Sequence, residues 1–146
     1  MVNLGLTSLA HIAIRARDLE SLVSFYTEKV GLAEMFRLNQ ADGSLMLIYL
    51  RITDDQYLEI FPNGVGDVPA RNATGMTHLC LSVSDIAASV AELERAGVKI
   101  DVPLKTGLDH NRQAWISDPE GNRIELMEMS TDSLQSQAIA RLKQGQ

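Results

Sequence analysis

The sequence predicts an α+β fold built from two tandem βαβββ modules. Three observations predict it. The segment HIAIRARDLESLVSFY from His11 returns as HLCLSVSDIAASVAEL from His78, an offset of 67 (78 minus 11). A fixed internal period is the mark of a duplicated unit. In both halves a period-two stretch precedes a helical stretch, and three further short stretches follow. Gly, Asp and Pro punctuate the two halves at matching places. The first module is expected over 1–65 and the second over 66–130. Residues 131–146 form a C-terminal helix or tail, and the whole makes one structural domain.

The first strand is expected over Leu9–Arg15, and its counterpart over Thr77–Val83. Asp18 and Asp85 then stand where an N-cap should, with a carboxylate to accept from free backbone N–H groups. Behind them Leu19, Leu22, Val23 and Tyr26 recur at helical spacing, as do Ile86, Val90 and Leu93. Gly31 and Gly97 end the helices, because glycine takes the left-handed cap without strain. In the first half, strands follow near Ala33–Gln40, Ser44–Ile52 and Gln56–Phe61. Asp42-Gly43 is a hairpin signal, and TDDQ turns the chain again. In the second half the strands are expected near Lys99–Pro103, Gln113–Ser117 and Arg123–Met129. The turn DPEGN precedes the last of these. Between the halves runs PNGVGDVPARNATG, rich in Gly and Pro. In the tail, Leu134, Ala138 and Leu142 fall at i, i+4, i+8, an amphipathic helix.

Bulk properties narrow the function. The chain has 146 residues with 45% apolar and 22% charged, the balance of a globular protein. Its net charge of −6 argues against a nucleic-acid partner, which calls for clustered Lys and Arg. No apolar run approaches the ~20 residues of a membrane span, so no membrane partner is expected. The single Cys80 cannot form an internal disulfide, and the N-terminus does not read as a secretion signal; both favour the cytoplasm.

The repeat also aligns YLEIF with RIELM, pairing Glu59 with Glu125 at an offset of 66 (125 minus 59). One residue has therefore been lost between the two matches. Side chains alternate across a strand. His11 shares a face with Ala13 and Arg15, while Ile12 and Ile14 share the other; His78 goes with Cys80 and Ser82, and Glu125 with Arg123 and Met127. A carboxylate on a sheet face needs water or a partner, since burying it alone is costly. One histidine on a strand is ordinarily structural, and one glutamate in LEIF can simply face water. Recurrence of both residue types at both places in both halves points instead to a shared partner, a divalent metal. Imidazole with carboxylate suits Ni, Co, Zn, Mn or Fe better than Ca or Mg, and four ligands leave room for a substrate. The expected metal ligands are His11, Glu59, His78 and Glu125.

Over residues 6–129 the chain resembles the vicinal oxygen chelate superfamily, the glyoxalase and bleomycin-resistance fold. HIAIRARDLESLVSFYTEKVGL resembles its opening module and DPEGNRIELME its closing signature. The resemblance implies two βαβββ modules forming a cupped mixed sheet around one metal site. It also implies a homodimer, in which modules of different chains often complete each site. Within the superfamily, His, Glu, His, Glu in this order resembles bacterial glyoxalase I, lactoylglutathione lyase. That family carries an Arg four residues after its first ligand and an Asn four after its second, where Arg15 and Asn63 stand here; both contact glutathione there. The family's Gly and Lys before the next-to-last strand are replaced here by LKTGLDHNRQ, in which Lys105 and Arg112 are the candidates for substrate binding. His110 is read as a loop residue.

What the resemblance implies about chemistry is conversion of a glutathione–methylglyoxal hemithioacetal to S-lactoylglutathione through an enediolate. One divalent ion (Ni, Co, Zn or Mn) acts as Lewis acid, and no organic cofactor is needed. Glu125 is the expected base, with Glu59 its symmetric counterpart. The alternatives are a metal-dependent epimerase or isomerase of another α-hydroxy carbonyl compound, and a non-catalytic protein that sequesters a small molecule such as an antibiotic.

Overall fold

A computed structural model describes residues 4–145, which divide into two compact units with the break between Asp67 and Val68. The first unit runs β1 (His11–Arg15), α1 (Leu19–Ser24), β2 (Ala33–Asn39), β3 (Leu45–Arg51) and β4 (Tyr57–Phe61). The second runs β5 (Leu79–Ser82), α2 (Ile86–Arg95), β6 (Val102–Thr106), β7 (Arg112–Ser117) and β8 (Arg123–Glu128), and ends in α3 (Leu134–Gln144). Each unit is a βαβββ module with its own four-stranded mixed sheet, ordered β1-β4-β3-β2 and β5-β8-β7-β6. The first strand of each module lies parallel to the last, and the other pairings are antiparallel.

Registers in the two modules are the same once the repeat is applied. Ile48 pairs with Ile60 in the first, and Ala114 with Leu126 in the second, each partner displaced by 66. The faces therefore match as well. Ile12, Ile14, Ile48, Leu50, Leu58 and Ile60 line the face that α1 covers with Leu22 and Val23, and Tyr26, in the turn that continues α1, is buried with them. In the second module Leu79, Leu81, Ala114, Ile116, Ile124 and Leu126 line the face covered by α2, whose Ile86 and Leu93 are buried. Removing these side chains from water supplies the main drive to fold, about 1.5–3 kcal/mol for each large one.

Both aspartates cap their helices: Ser21 N donates to Asp18 Oδ1 at 3.1 Å and Ala88 N to Asp85 Oδ1 at 3.0 Å. The residue missing from the second half can be located. In α2, Ala96 N donates to Glu92 O, the i+4 bond of an ordinary helix. At the equivalent place in the first module Val30 N donates to Phe25 O, an i+5 bond, and Phe25–Lys29 form a wide π-type turn that continues α1. A single residue inserted into an α-helix gives such a turn. The closing bonds Leu32 N to Tyr26 O and Val98 N to Leu93 O are again equivalent, so the extra residue sits between Tyr26 and Val30.

Some strand ends differ from expectation. β5 starts at Leu79 rather than Thr77, because its ladder with β8 opens at Leu79↔Ile124; His78 thus stands just ahead of the strand. β1 starts at His11, opposite Tyr57, the first residue of β4. β6 is displaced toward the loop and runs to Thr106, because β7 begins at Arg112 and pairs back to it. Its register shifts between Val102 and Lys105, around Pro103, which has no N–H to donate to a ladder. Among the described residues no helix is long and apolar enough to cross a membrane.

Candidate functional site

The face of each sheet that the helix does not cover carries the candidate ligands. In the first module Glu59 is centred on β4, paired with Ala13 on one side and Tyr49 on the other. His11 Nε2 lies 3.8 Å from Glu59 Oε2, with the imidazole 49% and the carboxylate 7% exposed. Tyr49 stands directly opposite Glu59 across the β3–β4 ladder, and interaction with that carboxylate, with burial and the negative charge, raises the phenol above its usual range. Phe36 stacks on Tyr49 at 4.5 Å between ring centroids, and Tyr57 meets Tyr49 edge-on at 6.3 Å. A buried carboxylate is thereby flanked by an imidazole and a phenol, and no buried side-chain polar atom among the described residues lacks a partner.

The second module repeats the plan with different neighbours. Glu125 pairs with Cys80 on β5 and Trp115 on β7. His78 Nε2 is 3.1 Å from Glu125 Oε2, and the other ring nitrogen, Nδ1, is 2.7 Å from Thr77 Oγ1. Burial first, then the Glu125 carboxylate, push the Cys80 thiol up to about 11, which keeps it a neutral thiol beside the glutamate. The turn before β8 aims Glu125. Asp118 is buried, and its carboxylate accepts from Glu120 N, Asn122 N and Asn122 Nδ2 at 2.9–3.0 Å. Gly121, at φ +95, closes the loop. A one-residue slip would turn Ile124 or Leu126 to this face instead.

The donor chemistry fits a divalent transition ion. Two ligands ~2.1 Å from one ion, at angles between octahedral and tetrahedral, stand roughly 3.0–3.4 Å apart. His78 and Glu125 already have that spacing, and His11 and Glu59 are a few tenths of an ångström wider. Each module offers one such pair. Among the described residues no group of three or more His, Cys, Asp or Glu is gathered to hold a metal ion.

The four residues expected to meet substrate divide unevenly. Arg15 is on the His11 face, its guanidinium 5.2 Å from the Phe61 ring centroid and donating to Pro62 O at 2.8 Å. Asn63 follows β4 in the left-handed region, φ +63, which Asn tolerates better than most residues. Gly64 then donates to Ala16 O at 2.7 Å, tying this turn to the end of β1. Lys105 pairs with Gln113 and so shares the face of Trp115 and Glu125. Arg112 does not. It alternates with Gln113 onto the helix side, where it pairs with Glu128 at 3.3 Å, and Glu128 in turn accepts Ile86 N at the start of α2. His110 is an exposed loop residue at φ +69. Beside it Asn111 is fully buried, joined to Asp109, Gln135 and Ser130 N, which ties the β6–β7 loop to α3.

Tyr49 and Trp115 did not emerge from the search for repeated ligands. The offset of 66 pairs them, but they share only aromatic character, which a comparison by residue identity passes over. Pairing across the sheet brings them out, because each stands directly opposite its module's glutamate.

The family model described as Glyoxalase/Bleomycin resistance protein/Dioxygenase superfamily matches residues 8–126. The chain is 29% identical over 127 residues to a probable lactoylglutathione lyase of Vibrio cholerae, an alignment covering 82% of this chain and 89% of that protein. Its fold is similar to that of the glyoxalase family protein from Enterococcus faecalis, with TM-score 0.74 and 26% identity over 86% of this chain and 100% of the other. It is also similar to TnmS3, an antibiotic binding protein from Streptomyces sp. CB03234, with TM-score 0.66 and 25% identity over 88% of this chain and 100% of the other. The family match takes in both modules and both His–Glu pairs, and the chain belongs to the glyoxalase/bleomycin resistance/dioxygenase superfamily.

Proposed function

We propose that this chain is a metal-dependent lyase of the glyoxalase I type, acting on the hemithioacetal of glutathione and methylglyoxal. The observation that carries the reading is the pair of imidazole–carboxylate couples at repeat-equivalent positions, His11 with Glu59 and His78 with Glu125. The similarity to the Vibrio cholerae protein, named a probable lactoylglutathione lyase, supports it. These four residues are the ligands of the site we propose. A divalent ion held there supplies Lewis acidity, favouring negative charge on the substrate's two adjacent oxygens.

The protein's own groups do the proton work. Glu125 takes the proton from the hemithioacetal carbon and returns it to the neighbouring carbonyl carbon, while the hemithioacetal hydroxyl proton passes to the former carbonyl oxygen, giving the thioester with no net redox change. Glu59 suits this role less well. It is the more buried of the two, 7% against 14% exposed, with the Tyr49 side chain directly across the ladder from it. Arg15 and Asn63, at the open ends of β1 and β4, are proposed to take the polar groups of the glutathione moiety, and Lys105, on the Glu125 face of its own module, is proposed as a further substrate contact. Such a protein works in the cytoplasm as a homodimer.

A second reading, sequestration of a flat molecule, is favoured by one observation: the aromatic row Phe36, Tyr49 and Tyr57 on the uncovered sheet face. TnmS3, an antibiotic binding protein, is similar in fold. One experiment separates the two. The purified protein is stripped with a chelator, reloaded separately with Ni, Co, Zn and Mn, and assayed for S-lactoylglutathione. We expect turnover with at least one ion and none in the stripped protein. Stoichiometric metal without product would overturn the substrate, and a protein that neither holds an ion nor responds to one would leave sequestration.

A further inference from the structure

We propose that Trp115 is a positioning residue for His78, and that it makes the second module the preorganised half of the metal site. This rests on the metal-binding reading above. The indole meets the His78 ring edge-on, with centroids 4.7 Å apart and planes at 65°. The indole is itself held in two ways. Its Nε1 donates to Gln113 Oε1 at 2.8 Å, and the Arg123 guanidinium lies over its ring at 4.5 Å from the centroid. Gln113 and Arg123 flank Trp115 and Glu125 on the same sheet face, their positions set by the β7–β8 register. Room for the Gln113 carboxamide comes from Gly107, where a Cβ would run into it.

An imidazole must present one nitrogen along the right line to serve as a ligand. What fixes its plane is commonly a bond to the other nitrogen and packing on the ring. His78 has both, Thr77 Oγ1 at Nδ1 and the indole at its flank, and its Nε2 already stands 3.1 Å from Glu125. His11 makes no ring contact among the described residues, its side chain is half exposed, and its Nε2 is 3.8 Å from Glu59. The repeat-equivalent aromatic of the first module, Tyr49, stacks on Phe36 instead. The duplicated plan has thus diverged: one module's aromatic packs on its histidine, the other's on a phenylalanine.

The test uses the full-length protein and three variants, Trp115→Leu, Trp115→Phe and Gln113→Leu. Dissociation constants for Co and Zn are read by competition with a chromophoric chelator, and thermal midpoints are taken on the metal-free proteins. Loss of an outer-shell partner typically weakens metal binding about 10–100-fold. We expect that loss for Trp115→Leu, and a smaller, intermediate loss both for Trp115→Phe, which keeps a ring edge but not the Nε1–H, and for Gln113→Leu, which removes its acceptor. Metal-free midpoints should track none of these differences. Wild-type affinity in Trp115→Leu, or equal losses in the Phe and Leu variants, overturns the positioning role alone. A wild-type protein that binds neither ion overturns the metal reading and this role together.

Discussion

Glu125 sits between Ile124 and Leu126, both buried behind the sheet, so it stands at a position of its strand where a charge can face outward, as Arg123 does two residues before. That alternation made it legible in the sequence, and its repeat with Glu59 gave it a partner. Replacing it with Gln keeps the shape and removes the base. We expect Glu125→Gln to lower kcat by about 10²–10⁴, the range for a lost general base, while far-UV circular dichroism and the thermal midpoint stay near wild type. Near-wild-type turnover would move the base elsewhere. Gly64 tests the proposed substrate end. A Cβ on Gly64 would stand 2.8 Å from Ala16 C and 2.9 Å from Ala16 O, both backbone atoms with no freedom to swing aside. Gly64→Ala should therefore destabilise the protein by about 1–3 kcal/mol in urea titration and raise KM through the displaced Arg15 and Asn63. Residues recognised by identity, such as the two His–Glu pairs, could be read in advance. Arg112 could not be placed until the start of β7 fixed its parity, because a shift of one position moves a side chain to the other face.

At the scale of elements, the sequence carried a counting discrepancy whose cause it did not reveal. His11 and His78 differ by 67, Glu59 and Glu125 by 66; the pairs Val23/Val90 (67) and Gly31/Gly97 (66) bracket the step at the end of the first helix without showing its form. The i+5 bond from Val30 to Phe25 locates it in the last turn of the first helix. Periodicity could not see this, because Leu22, Val23 and Tyr26 all precede the widening and keep normal helical phase. Glu28 is exposed in that turn. Deleting it should let the turn close to the regular form of α2, with Gly31 still in place to cap it. We expect a stability change within about 1 kcal/mol, as for a surface change away from packed features. Deleting Glu92 makes the contrast, since α2 has no surplus residue. The deletion would rotate buried Leu93 off the core face, at a cost of about 2–5 kcal/mol, comparable to truncating a buried leucine. If both deletions cost the same, the wide turn is not the inserted residue.

The molecule as a whole is two modules, each holding half of the proposed ligand set. The order of elements and the two pairs could be read from one repeat. What brings the pairs to a common ion could not, because neither composition nor spacing says which module meets which. The homodimer implied by the family resemblance leads us to expect that module one of one chain works with module two of the other. Variants with one ligand removed decide it. His11→Ala and His78→Ala should each be inactive alone. When the two are co-expressed or refolded together in equal amounts, about half of the dimers carry one of each. With sites shared between chains, such a dimer has one site lacking both histidines and one site intact. About a quarter of wild-type activity should then return, since half the dimers each recover one site of two. With sites confined to single chains, every site lacks a histidine and mixing restores nothing. Glu59→Gln mixed with Glu125→Gln must give the same answer, because each exchange removes one ligand from one module. Agreement between the two mixtures would rule out partial activity of a single variant as the source of the signal.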